Sequence, residues 1–291
     1  MRRRPTIPTG SRLNPMATDT WDPRQYDKFQ REREQPFYDL LAMIRPGNRM
    51  RIVDLGCGTG KLTRVLHETL QARETIGIDR SASMLAASRE APAVDGLHFE
   101  EGTIEAFAGR GKSGKKDTRL AQKTGTPDVI FSNAALHWVD DHETLIRALY
   151  GRLDPGGQLA FQVPAQHDDP SHVVAQELAA AEPFHTALRG WRKPQPVLTP
   201  EAYARVFYKC GFADTNVRLI VYPHVLAGRA DVIEWTKGTL LTEYARHLPA
   251  GLFDRFLDEY RTQLFARLEA AEPFFFPFKR ILCWGQRPGR C

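Results

Sequence analysis

The stretch VDLGCGTGKLT, Val53 to Thr63, sets three glycines at alternate positions directly after an acid that closes an apolar run. Few folds have a use for it. A short buried strand must end, the chain must turn through backbone conformations that side chains obstruct, and a helix must begin. MRIVDL (Met50–Leu55) fits the strand and KLTRVLHETL (Lys61–Leu70) an amphipathic helix. The turn therefore presents helix N-terminal amides to any ligand beside it. A dinucleotide fingerprint needs G-x-G-x-x-G/A, but Gly56, Gly58 and Gly60 are followed by Lys61 where the last small residue belongs. The phosphate-cradling G-x-x-x-x-G-K-[ST] is also missing, despite Gly60–Lys61. The turn is open to a small molecule and lacks dedicated phosphate chemistry.

The same alternation continues along the chain. TIGID (Thr75–Asp79), a run at LHFEEG, PDVIFSN (Pro127–Asn133) and QLAFQV are short apolar runs separated by helical patterns. Ser81 is placed to cap the helix holding Met84 and Leu85, and DPGG (Asp154–Gly157) stops another. Strands that are apolar throughout predict an α/β fold, a mostly parallel sheet with helices on both faces. After Val163 the alternation breaks into helical patterns over Ser171–Leu188, around YARVFYKCGF and over Asp231–Ala271. TNVRLIVYPHVL and FKRILCWGQR bring the strands to seven. Trp21 to Ile44 reads as two helices divided at Pro36. The expected organisation is a disordered extension over 1–20 and one domain over 21–291. Within it lie a ligand-binding core at 45–163, a basic loop insertion at 109–126, and a helical cap, mainly 164–200 and 229–272. The cap roofs the carboxyl edge of the sheet, where open α/β sheets bind ligands.

The formal charge of +5 would suit a polyanion partner if it were spread over the fold. Instead it sits in MRRR plus Arg12 and in GRGKSGKKDTRLAQKTGT, where six cations face Asp117 alone; the remainder is acidic on balance. Solvated, disordered segments are the expectation, and no nucleic-acid partner. No run approaches the ~18 apolar residues of a membrane span. Cys57, Cys210, Cys283 and Cys291 have no paired spacing, which predicts reduced thiols and no metal site. The Arg-rich start faintly resembles a transit peptide, but a true start at Met16 is the plainer account. A cytoplasmic monomer is expected, with a mitochondrial location as the alternative.

VDLGCGTG resembles the first motif of the class I S-adenosylmethionine-dependent methyltransferases, a Rossmann-like fold. The resemblance implies S-adenosyl-L-methionine as cofactor, held by Asp54, Gly56, Gly58, Gly60 and Met84, with Asp79 of GIDRSASM on the ribose hydroxyls. FEEGTIEAF resembles the adenine segment. Thr103 stands there in place of a frequent Asp, leaving the contact to Thr103 and the backbone of Ile104. SNAALHW resembles the fourth-strand motif, with Asn133 and Ala134 on the methionine side and His137 and Trp138 facing acceptor. WDPRQYDKFQREREQP, SNAALHWVDDHETL, GGQLAFQVP and ADVIEWTKGTLL together are similar to the trans-aconitate methyltransferase family, in which Tyr26 and Arg33 match positions that close over the cofactor. That likeness implies O-methylation of one carboxylate of a small polycarboxylic acid.

Such a reaction needs no catalytic triad, because a carboxylate is already ionised near neutral pH. It needs cations and donors for the acceptor's remaining charge. Candidates are His137 and Trp138, Arg189, Arg192 and Lys193 in the Pro-rich loop, and Lys237 and Tyr244 in the cap. Three rivals remain at this level. One is a different carboxylate, including an apolar acid suited to the aromatics near Phe274–Phe276. The others are a cofactor-binding protein without catalysis and, weakened by Lys61, a nicotinamide enzyme.

Overall fold

The computed structural model describes residues 30–109 and 119–290. The elements in chain order are α1 (Gln30–Leu41), β1 (Arg51–Leu55), α2 (Lys61–Thr69), β2 (Glu74–Asp79), α3 (Ala82–Glu90) and β3 (Leu97–Glu101). They continue with α4 (Ile104–Phe107), α5 (Arg119–Thr124), β4 (Val129–Asn133), a 3-10 turn at Leu136–Trp138, α6 (His142–Arg152) and β5 (Gln158–Pro164). Then follow α7 (Pro170–Ala180), α8 (Phe184–Ala187), α9 (Pro200–Cys210), β6 (Asp214–Leu226), α10 (Ala230–Thr236) and a π turn at Lys237–Leu241. The chain closes with α11 (Thr242–His247), α12 (Ala250–Arg267) and β7 (Phe274–Gln286).

The seven strands form one sheet in the order β3-β2-β1-β4-β5-β7-β6. The first five are parallel, whereas β7 runs antiparallel between β5 and β6. The chain reverses direction across the sheet between β1 and β4, which opens a crevice at their carboxyl ends. One face packs Val53, Ile130, Leu159 and Phe161 against α6 and α9. The other packs Ile52, Phe131, Ala160 and Leu282 against α1 and α2.

Register places the cap. β5 ends at Pro164, paired with Arg280, so Phe274 to Lys279 of β7 and their β6 partners run on past the carboxyl end of β5. Around that overhang α7, α8 and α10 to α12 assemble a separate core of Phe184, Trp235, Tyr244, Phe256 and Tyr260 with Phe274, Phe276 and Phe278. Phe274 and Phe276 are thus spent on cap packing, while Phe275 between them faces outward and stays exposed.

Three local expectations are corrected. α1 continues through Pro36. Buried Phe37, Leu40 and Leu41, with Phe37 edge-on to Phe131 at 5.6 Å, hold the turns beyond it, and that packing outweighs the missing amide. The helix expected over Ser171–Leu188 is split at Ala181–Pro183, since the proline excludes helical backbone before it. Within the segment expected as a basic loop, α5 is helical: Leu120 sits over Gly102, Lys123 pairs with Glu100 at 2.5 Å, and Arg152 reaches Thr124. The extension over 1–20 and the middle of the insertion lie outside the described residues, and no described helix is long and apolar enough to cross a membrane.

Candidate active site

The three glycines of the turn all have left-handed backbone, with φ of 75°, 57° and 74°, but for different neighbours. A Cβ on Gly56 would stand 2.2 Å from Ala135 Cβ, and one on Gly60 would stand 2.5 Å from the Phe99 ring. One on Gly58 would meet nothing within 4 Å. The outer two glycines let protein close on protein; the middle one keeps a cleft clear.

Asp79, at the end of β2, locks the turn. Its Oδ2 accepts the Gly58 amide at 2.8 Å and its Oδ1 the Ser81 amide at 2.9 Å. The Gly56 and Cys57 amides both donate to the Ile78 carbonyl, at 2.8 and 3.1 Å. Ser81 caps α3 by accepting the Met84 amide at 3.3 Å. Asp54 is buried beneath this, its Oδ2 accepting the Thr63 hydroxyl at 2.6 Å. Burial, reinforced by the charge of Asp79, pushes the Asp54 carboxyl up to about 7. Burial and the same two carboxylates raise the Cys57 thiol, keeping it unreactive. Lys61, the residue that spoils the dinucleotide fingerprint, points away and pairs with Glu34 of α1 at 2.8 Å.

Around the crevice, Thr103 caps α4 by accepting the Ala106 amide at 3.1 Å, and Ile104 packs against the core beside it. Asn133 Oδ1 accepts from Gln162 Nε2 at 2.7 Å, while Ala134 takes a left-handed φ of 53° and donates to the Gln162 carbonyl. Strain at a non-glycine residue marks a place where the surroundings over-determine the backbone. Gln162 in turn accepts from Arg280 Nη1 at 3.0 Å, so a buried polar relay runs Asn133–Gln162–Arg280 across β4, β5 and β7. Tyr26 lies outside the described residues, as does the side chain of Arg33.

The acceptor candidates separate. His137 and Trp138 stand together on the 3-10 turn after β4, rings 4.8 Å apart, and His137 Nδ1 is buried with no hydrogen-bond partner among the described residues. Burial, then the cations Arg280 and Lys193, depress His137 to about 3 and hold it neutral. His142 fixes this turn, bonding the Leu136 carbonyl at 3.0 Å and the Tyr203 hydroxyl of α9 at 2.5 Å. Arg192 is exposed, and its neighbour Lys193 turns inward. Lys237 pairs with Glu234 at 2.6 Å and lines a shallow groove with Asp254, Asp258 and Arg261, well supplied with carboxylates already. Tyr244 is buried in the cap core. Sequence reasoning missed His172, Gln162, Gln166 and Arg280. For Arg280 a clue existed, because two-residue periodicity carries the inward face of Phe276 and Phe278 on to it.

Seven strands in this order, with a glycine turn after the first, are those of a Rossmann-like class I methyltransferase. The model of the methyltransferase domain family matches residues 26–217. The trans-aconitate 2-methyltransferase of Deinococcus radiodurans is 39% identical over 92% of this chain and 99% of its own. That of Streptomyces coelicolor is 36% identical over 94% and 89%. Among solved structures, the YcgJ protein of Bacillus subtilis superposes with a TM-score of 0.56 at 17% identity, covering 88% of this chain and all of that one. The chain belongs to the methyltransferase domain family, among the trans-aconitate 2-methyltransferases. Among the described residues no group of His, Cys, Asp and Glu is arranged to hold a metal ion.

Proposed function

We propose that this enzyme transfers a methyl group from S-adenosyl-L-methionine to one carboxylate of trans-aconitate, leaving a monomethyl ester. The observation that carries the reading is the extent of the likeness to the trans-aconitate 2-methyltransferases: 92% and 94% of this chain, hence the acceptor half as well as the glycine turn. The buried Arg280, opposite the carboxyl end of β5, and the half-buried Lys193 are in keeping with an anionic acceptor.

The residues fit the cofactor. A carboxylate offers about four lone-pair sites. The two amides held by Asp79 leave room for a pair of ribose hydroxyls. The space beside Gly58 suits the amino-acid portion, flanked by Asn133 and Ala134, and Thr103 with the Ile104 backbone edges the adenine. When bound, the cofactor would supply a methyl on a positively charged sulfur, which would leave with the bonding electron pair as the methyl passes to a carboxylate oxygen. No proton moves, so the protein's work is to align the carboxylate and exclude water. The cap and the half-buried, neutral His137 serve those ends. The partner is thus a small carboxylate, and neither a base nor a metal has a part in the reaction as written.

The test is methyl transfer from labelled S-adenosylmethionine to trans-aconitate beside cis-aconitate, citrate, isocitrate and a long-chain acid. Turnover concentrated on trans-aconitate is expected. Silence on every polycarboxylate with the cofactor bound would sink this acceptor.

A further inference from the structure

A tricarboxylate that offers one carboxylate to the methyl group brings two more into a site closed from water. Burying a carboxylate without a fixed cation is prohibitive. The cations must therefore already stand, desolvated, on the cap side of the crevice.

Lys193 has that placement. It lies on the loop leaving α8, where Arg189 and Gly190, with φ of 51° and 78°, reverse the chain. Trp191 then pins the loop to α11, stacking on His247 at 3.8 Å and meeting Tyr244 edge-on at 5.5 Å. Two residues further, the Lys193 charge is felt by His137 on the sheet edge and by His172 on the cap helix α7, and it feels Glu243 of α11. It is half-buried, and its pKa is drawn down by that burial. Among the described residues no carboxylate lies within ion-pair distance of it; Glu243, the acid whose charge it feels, is held at 2.6 Å by Arg246. Buried polar nitrogens with no hydrogen-bond partner among the described residues lie at the same edge: His137 Nδ1 beyond β4 and the Gln166 Nε2 donor beyond β5. A half-buried cation with no ion-pair partner among the described residues, set between His137 and His172 and near unpartnered polar atoms, has the chemistry of an anion site.

We infer that Lys193 is the specificity-determining cation, holding a carboxylate that is not methylated between His137 of the sheet edge and His172 of the cap, with Arg280 on the relay of Asn133 and Gln162 facing the other. This rests on the tricarboxylate reading above and adds the residue that selects for it. In this arrangement the acceptor is held without Lys237 or Arg192.

The experiment compares wild type, Lys193→Met and Lys193→Arg on trans-aconitate and on crotonate, an unsaturated acid with a single carboxylate. The methionine variant should raise KM for trans-aconitate on the order of 10²-fold. Its cofactor Kd and its kcat/KM for crotonate should stay within about twofold, and arginine should restore part of the loss. Unchanged KM for trans-aconitate would overturn the assignment. So would an equal loss on both acids with a lowered Tm, which would mean a structural lysine. A wild-type enzyme inactive on trans-aconitate would instead defeat the acceptor reading itself, before any variant is assayed, and the inference would fall with it.

Discussion

The two sides of the crevice are made of different material. On the cofactor side the walls are backbone: three left-handed glycines, amides tied to the Asp79 carboxylate and the Ile78 carbonyl, and side chains satisfied within the protein. On the side proposed for the acceptor the walls are side chains from the 3-10 turn, the cap helices and β7, where His137 Nδ1 and Gln166 Nε2 are buried with no hydrogen-bond partner among the described residues. A backbone wall is rigid and intolerant of substitution. A side-chain wall can change its ligand by single substitutions while the fold stands.

The strongest way to break this contrast is at the glycines. Gly56→Ala adds a left-handed strain of about 1–2 kcal/mol to an overpacking cost of about 1–3 kcal/mol against Ala135, so Tm should fall by roughly 5–15 °C. Gly58→Ala carries only the strain; it should leave Tm within a few degrees yet weaken cofactor binding at least about tenfold, as read by calorimetry. Equal losses of stability in both variants would show that the middle glycine is no less structural than its neighbour. Next in size is Asp79→Asn. Its amide cannot accept from both Gly58 and Ser81, and cofactor affinity should fall on the order of 10²-fold with a smaller loss of stability.

The two sides also carry opposite pH signatures. Asp54 titrates near 7 in the fold against 3.8 when unfolded, so the folded state holds its proton longer and stability falls as pH rises from about 4 to 7. His137 and His172 titrate near 3 against 6.5, so the unfolded state takes protons first and stability is lost as pH falls from about 6.5 toward 3. Denaturant titrations from pH 4 to 7.5 should therefore show a shallow profile in wild type. Asp54→Asn should leave the acid-side loss alone, and His172→Gln should flatten it; a profile unaltered by either change would contradict the assignment. The smallest effects belong to exposed pairs. Lys61→Ala removes a bridge to Glu34 worth about 0.2–1 kcal/mol, and Lys237→Ala should leave kcat/KM within about twofold.

The same contrast explains what could be read from the chain alone. A left-handed turn needs glycine, so Gly56, Gly58 and Gly60 announced the fold and, with Asp79, the half of the crevice proposed for the cofactor. The uniformly apolar strands gave the parallel sheet, and the break after Val163 gave the cap. Which of two adjacent cations in an irregular loop faces inward has no periodicity behind it, so Arg192 and Lys193 were indistinguishable until Trp191 was seen docked on His247. Lys237 was legible in part: Glu234 stands three residues before it on a helix, the spacing of an internal pair. His172 and Gln166 depend on how the cap folds back, which no local pattern carries.

The double duty of Asp79 has a kinetic consequence. A turn whose amides are already gathered by a carboxylate has little left to order when a nucleoside arrives, so the glycine turn itself should add no slow phase to cofactor association. Slow steps then belong to the elements that close over the two ligands, among them the cap, which must admit a hydrated polyanion and strip it of water.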